Sequence, residues 1–178
     1  MHTASTQIED LLIPVTSTTP LAGFAELYEL HSEAVFRAAL RITGRPADAE
    51  DVLQTVFLRI LSRGARGGDV EDVAQPAAYF RRAAVNAAVD VLRRRELHAE
   101  SAYNDLAPHA AVQPPFLLKE RLRRAIAAVD SDDASLFLLR HVEGLSIEEL
   151  AGMFQIEKNN VAVRLHRIRH RLHAERER

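Results

Sequence analysis

Asn159, Asn160, Val163, Arg167 and His170 would share one side of a helix, with Arg164 and Arg171 at its edge. An asparagine amide can pair with an adenine edge, a valine methyl can meet a thymine methyl, and guanidiniums can hold phosphates. The other side of the same stretch, Val161, Leu165, Ile168 and Leu172, is an apolar stripe suited to a core. A second set, Tyr79, Arg82, Asn86 and Arg93, falls together opposite Phe80, Ala84, Ala87 and Val91. A stacking ring, an amide and two guanidiniums in a row suit an unpaired strand, whose bases stack and whose backbone needs neutralising. Each set also has a plainer reading. The first is then a charged surface helix, and the second a solvated basic face with Tyr79 packed on a neighbouring helix.

Other chemistries find less support. No Gly-rich phosphate loop, nucleophile motif or paired-carboxylate constellation stands beside a plausible pocket, so an enzyme is not expected. His166, His170 and His173 have a helical spacing that could hold a metal. With no further convergent ligand they read as helix-surface histidines near DNA, and neither a metal nor another cofactor is expected.

The elements that must position these residues are helical. Apolar residues recur at helical spacing from Leu21 to Ile42 and stop at Gly44, which predicts a first helix. Pro46 opens a second, with an apolar stripe of Ala49, Val52, Leu53, Val56, Phe57, Ile60 and Leu61 and an acidic, polar opposite side. The Gly-rich stretch from Gly64 to Gln75 breaks the pattern, and Pro76 starts a third helix running to about Arg95. From about Leu97 to Pro115 the periodicity is lost and Pro108, Pro114 and Pro115 interrupt any helix, which predicts an extended linker. Beyond it lie a helix carrying Leu118, Leu122, Ile126 and Val129, then Ala134 to Glu143 closed by Gly144, Ser146 to Phe154, and Asn159 to about Leu172.

Ser146 and Glu149 in LSIEEL stand where a hydroxyl and a carboxylate reciprocally satisfy the free N–H groups of a helix start. The break at QIEK and the helix after it complete a helix-turn-helix pattern, whose second helix would enter a major groove by its N-terminus. Gln155 stands in the turn where a left-handed backbone is needed, at a cost of roughly 1 kcal/mol relative to Gly.

Composition sets the class. Of 178 residues 47% are hydrophobic and 27% charged, which excludes disorder throughout, and only 6% are aromatic in a chain rich in Ala, Leu and Arg. The expected fold is therefore all-α: two small helical domains, a helical bundle and a helix-turn-helix unit, joined by a Pro-containing linker. The expected boundaries are a tail over 1–20, a first domain over 21–96, a linker over 97–115 and a second domain over 116–178. There is no cysteine, so no disulfide framework or thiolate metal site forms. With no signal segment or membrane-length apolar run, the default address is cytoplasmic. The net charge of -2 argues at first sight against nucleic acid, but the signs are segregated. Basic residues gather at Arg81 and Arg82, Arg93 to Arg95, Arg121 to Arg124, and Arg164 to Arg171, and acidic ones at Asp48, Glu50 and Asp51. That distribution suits binding DNA with some faces and a basic partner with others.

These segments, in this order, resemble the sigma-70 family and specifically its extracytoplasmic-function (ECF) branch, which carries only conserved regions two and four. LYELHSEAVFRAALRITGRPADAEDVLQTVFLRIL is similar to region two, where the second helix docks on core RNA polymerase. The resemblance implies that Asp48, Asp51 and Gln54 lie at that contact. PAAYFRRAAVNAAVDVLRRR is similar to the part that melts and reads the minus-10 element, implying roles there for Tyr79, Arg82, Asn86 and Arg93, with the preceding loop capturing a flipped base. LRRAIAAVDSDDASLFLLRHVEGLSIEELAGMFQIEKNNVAVRLHRIRHRL is similar to region four, implying minus-35 duplex contacts from Lys158, Asn159, Asn160, Val163, Arg164 and Arg167. The implied partners are core polymerase, promoter DNA as duplex and as melted strand, and an anti-sigma protein. Insertion into a membrane is not implied. The sequence departs from the pattern at Thr55, where an acidic residue is common, at Gln155 in place of a glycine, and at Glu157 in place of a small hydroxyl cap. Glu157 would repel a phosphate near the recognition helix. The competing class is a stand-alone helix-turn-helix regulator whose first domain serves dimerisation or effector binding.

Overall fold

The computed structural model describes residues 20–64, 75–102 and 115–176, with side chains at 23–63, 75–98 and 118–174. Seven helices run through these residues: α1 (Pro20–Thr43), α2 (Pro46–Gly64), α3 (Pro76–Ala102), α4 (Pro115–Ala127), α5 (Ser131–His141), α6 (Ile147–Phe154) and α7 (Lys158–Arg176). The all-α expectation holds. The N-terminal tail and most of the Gly-rich loop and of the linker lie outside the described residues.

Proline and glycine punctuate the helices as their backbone chemistry requires. Pro46, Pro76 and Pro115 each open a helix, where the missing N–H is no loss. Gly44 closes α1 at φ 73°, its N–H donating to the Leu40 carbonyl at 2.9 Å. In the first domain α1 buries Val35, Ala38, Ala39 and Ile42 against Ala49, Val52, Val56, Phe57 and Ile60 of α2. Phe57 sits at the middle of a ring cluster. Its centroid lies 5.9 Å from Phe24, 4.8 Å from Tyr28 and 5.2 Å from Phe80, within the range of favourable aromatic pairing.

α3 departs from expectation in two ways. It continues past Arg95 to Ala102, and α4 begins at Pro115, so less of 97–115 is left for a linker than the proline pattern implied. Its apolar surface also wraps further round. Phe80, Ala84, Ala87 and Val91 are buried as expected, but so are Val85, Ala88, Val89 and Leu92 on the adjoining side. The reason is a second neighbour: α3 packs against α1 and α2 on one side and against α4 and α5 on the other. The buried residues of both domains accordingly form one continuous cluster.

In the second domain Ile126, Val129, Leu136, Leu139, Leu150, Val161, Leu165 and Ile168 make the core. The capping box at α6 forms as read: Ser146 Oγ accepts from the Glu149 N–H at 3.1 Å, and a Glu149 carboxylate oxygen accepts from the Ser146 N–H at 2.7 Å. Those contacts stabilise the Glu149 carboxylate and hold its pKa below the ordinary value, the Ser146 backbone contact foremost. Gln155 ends α6 in the left-handed conformation, φ 54° and ψ 44°, the position the sequence marked as strained.

Candidate nucleic-acid interface

The turn between α6 and α7 is Gln155, Ile156 and Glu157. Left-handed Gln155 lets its own N–H and that of Ile156 return to carbonyls of α6, at Gly152 and Ala151, which reverses the chain within one turn. α7 then buries Val161, Leu165, Ile168 and Leu172 and turns the rest outward. Lys158, Asn159, Asn160, Val163 and Arg167 are exposed on it, and Val163 keeps 47% of its surface. Two basic residues at its margin are engaged within the fold. Arg164 holds Asp133 Oδ1 through Nε and Nη2, both at 2.6 Å, and Lys158 pairs with Glu148. Arg167 has no ion pair among the described residues. Arg164 thus fixes α7 against α5, and a phosphate would have to draw it away from Asp133. Glu157 is exposed directly before α7, beside Lys158.

His166 and His170 stand one turn apart on this surface, with Nε2 atoms 3.2 Å from each other. Among the described residues no group of three potential ligands converges there or elsewhere.

The second set comes together on α3 as expected, but not on a free surface. The Arg82 guanidinium donates to the Met153 carbonyl at 2.6 Å and lies 4.5 Å over the Phe154 ring, at the C-terminus of α6. Arg93 donates from Nε to the Ala127 carbonyl at 3.2 Å and from Nη2 to the Val129 carbonyl at 2.5 Å, at the C-terminus of α4. Tyr79 is half-buried with its ring edge-on to Phe80, and Asn86 is half-buried beside these arginines. The face read as solvated or strand-binding is therefore the face on which the second domain rests. Helical spacing could not reveal this, because the partners of Arg82 and Arg93 lie 71 and 36 residues away along the chain.

The acidic set on α2 is divided. Asp51 and Gln54 are exposed, whereas Asp48 is only partly exposed and held by Arg95 at 3.1 Å, which also pairs with Glu120 of α4 at 3.6 Å. The same exposed side carries a residue the sequence reading overlooked: Leu58, one turn beyond Gln54, with 59% of its surface open. Its signal was its register, since it shares the side of Asp51 and Gln54 and not that of Val56 and Ile60. Leu61, expected in the buried stripe, is 37% exposed at the edge of that side. In the second domain Leu118 and Leu122, on the apolar side of α4, line an open apolar groove of about 260 Å³ with Ala125, Phe137 and Leu172.

Residues 27–97 match the sigma-70 region 2 family model, and residues 119–172 match the sigma-70 region 4 model. Among curated proteins the chain is similar to the RNA polymerase sigma-E factor of Streptomyces avermitilis, 30% identical over 157 residues that cover 86% of this chain and 85% of that protein. It is also similar to the ECF RNA polymerase sigma factor SigM of Mycobacterium tuberculosis, 29% identical over 151 residues covering 84% and 75% respectively. Among solved structures it shares the fold of the sigma factor RpoE of Bartonella quintana, solved in complex with the anti-sigma factor NepR. The TM-score is 0.50 at 18% identity, covering 86% of this chain and 96% of that one.

Proposed function

The chain belongs to the sigma-70 family, and from that premise we propose how its two halves share the work of a sigma factor, which binds core RNA polymerase and directs initiation at promoters. The first domain, 21–96, serves polymerase binding and the minus-10 element, and the second, 116–178, serves the minus-35 element. Asp51 and Gln54, joined by Leu58, form the docking stripe on α2, with Asp48 at its margin. An acidic start and an apolar end suit a basic amphipathic helical partner better than they suit DNA, which the carboxylates would repel.

On α3, Asn86 and Tyr79 read and stack on the melted minus-10 strand, while Arg82 and Arg93 neutralise its backbone. On α7, Asn159, Asn160 and Val163 meet base edges of the minus-35 duplex. Lys158, Arg164 and Arg167 hold its phosphates. The observation that carries the reading is the coexistence of two different basic faces with an acidic, partly apolar one, in the order of regions two and four. A stand-alone regulator has no need of the α2 stripe. The chain acts without chemistry of its own, and an anti-sigma protein is its expected antagonist. No described helix is long and apolar enough to cross a membrane, and the cytoplasm is where polymerase is found.

The test is direct. The purified chain should co-elute with core RNA polymerase and support initiation from a promoter that core alone ignores, and Asp51→Arg together with Leu58→Ala should abolish co-elution while leaving the fold intact. A chain that binds duplex DNA but never core polymerase would instead be the stand-alone regulator.

A further inference from the structure

Two histidines of α7 carry no role in the function proposed above, and their geometry is that of a chelate. His166 and His170 are exposed one turn apart, with Nε2 atoms 3.2 Å from each other. Two imidazole nitrogens bound to one ion at about 2.05 Å would stand about 2.9 Å apart at a right angle and about 3.3 Å apart at a tetrahedral angle. The observed separation lies between these. The ring centroids are 4.4 Å apart, farther than the nitrogens, so the rings converge toward their Nε2 ends. With one ring as donor and the other as acceptor, the approach is a hydrogen bond. An ion takes its place when the donor ring carries its proton on Nδ1 instead.

The surroundings select the kind of ion. No carboxylate joins the pair among the described residues, while Arg167, Arg169 and Arg171 flank it in sequence. Magnesium and calcium, which need oxygen ligands, are therefore unsuited, whereas zinc, nickel and copper ions bond well to imidazole nitrogen. Two protein ligands leave the other positions of such an ion open, and among arginines the ligand that best fills them is an anion. The position along the helix says which. Asn159, Val163, His166 and His170 follow one another at intervals of four, three and four, so they form one row. At a rise of about 1.5 Å per residue the centre of the pair lies about 13 Å beyond Asn159, close to the roughly 12 Å width of a major groove. A helix with Asn159 on the base edges thus carries the pair to the phosphates at the groove wall. We infer that His166 and His170 form a two-nitrogen site for a zinc-class ion whose open positions take a DNA phosphate, so that the metal ties α7 to the duplex. The phosphate half rests on the functional reading above; the metal half does not.

Zinc alone is the probe. Calorimetric titration of the full chain, without DNA, should show a site that His166→Gln or His170→Gln weakens at least about tenfold, because each leaves a single ligand. His173→Gln, on the same helix but outside the pair, should leave that site intact. Circular dichroism without zinc checks that each variant keeps its helices. A random-sequence duplex serves for the second half, since a phosphate contact carries no sequence information. Zinc should tighten its binding to the parent severalfold and to His166→Gln not at all, and a chelator should reverse the gain. Absence of a zinc site, or a site lost equally in His173→Gln, would overturn the inference. So would zinc binding through the pair with no change in duplex affinity. A chain that takes zinc at the pair but binds no duplex at any ionic strength would remove the functional reading instead, and the phosphate half with it.

Discussion

The two basic helices, α3 and α7, make opposite use of the same fold. α7 offers Asn159, Asn160, Val163 and Arg167 to solvent on a helix already anchored by its apolar stripe and by the Arg164–Asp133 pair. α3 has its equivalents covered, with Arg82 and Arg93 bonded into the other domain. The difference follows from burial. α7 has one apolar side and must leave the other free, whereas α3 has two adjoining apolar sides and is satisfied only when both are packed. As folded, α7 presents its polar side to solvent, whereas the corresponding side of α3 is covered by the second domain.

The strongest way to break this comparison is to ask whether α3 really belongs to both cores. One continuous buried cluster predicts one cooperative transition. Leu139→Ala removes a fully buried side chain of α5 and should cost about 2–5 kcal/mol. Calorimetry should show the whole transition moving to lower temperature. Two separate transitions, with only one shifted, would mean that the domains fold and melt apart.

A smaller effect separates the two helices functionally. Arg167→Ala should weaken upstream duplex binding by about 1–3 kcal/mol where that side chain meets a base, or lower the salt dependence by about one counterion where it meets a phosphate. Asn86→Ala should leave duplex affinity unchanged and impair opening of the minus-10 segment, read with a base-unpairing probe. Identical phenotypes would erase the division of labour.

Smaller still are the local terms that shape the recognition turn. Ser146→Ala should cost about 1 kcal/mol by removing a helix cap. Gln155→Gly should return up to about 1 kcal/mol by relieving the left-handed backbone. Paired chemical denaturation curves would check both, and a destabilising Gln155→Gly would show that the side chain contributes more than its backbone costs.

What could be read in the sequence was what neighbouring residues decide among themselves. Ser146 and Glu149 are three apart and complete each other, so the capping box was legible; Gln155 was legible as strained because the turn demands a left-handed residue wherever the fold sits in space. The extension of α3 to Ala102 was hidden because Leu97 is 66% exposed, so the helix continues there without the apolar stripe that periodicity detects. Leu58 was not legible because it stands outside the apolar stripe that faces the core. The occupation of Arg82 and Arg93 was beyond reach altogether, since carbonyls are present at every residue and only the folded chain decides which helix ends stand beside α3.

The smallest expected effect compares the domains through one histidine in each. His31 is buried in the ring cluster of the first domain, stacked on Phe80 at 4.4 Å with Nε2 lacking a hydrogen-bond partner among the described residues, and burial lowers its pKa from 6.5. His141 in the second domain is also lowered, first by burial and then by the charges of Arg169 and Arg140. In the unfolded chain both take up a proton as the pH falls through about 6.5, while in the folded chain they do so only at lower pH. Between those points the unfolded state holds more protons, so stability declines as the pH drops below 6.5 and is insensitive to these groups above it. His31→Phe keeps the stacking ring and removes the titration, and should flatten part of that decline in Tm against pH. The remainder belongs to His141 and to carboxylates titrating lower. In a single cooperative unit the two histidines act on one transition and their contributions add. A His31→Phe chain whose acid dependence matches the parent's would show that the second domain alone gives way to acid, and that the shared helix does not bind the two halves into one.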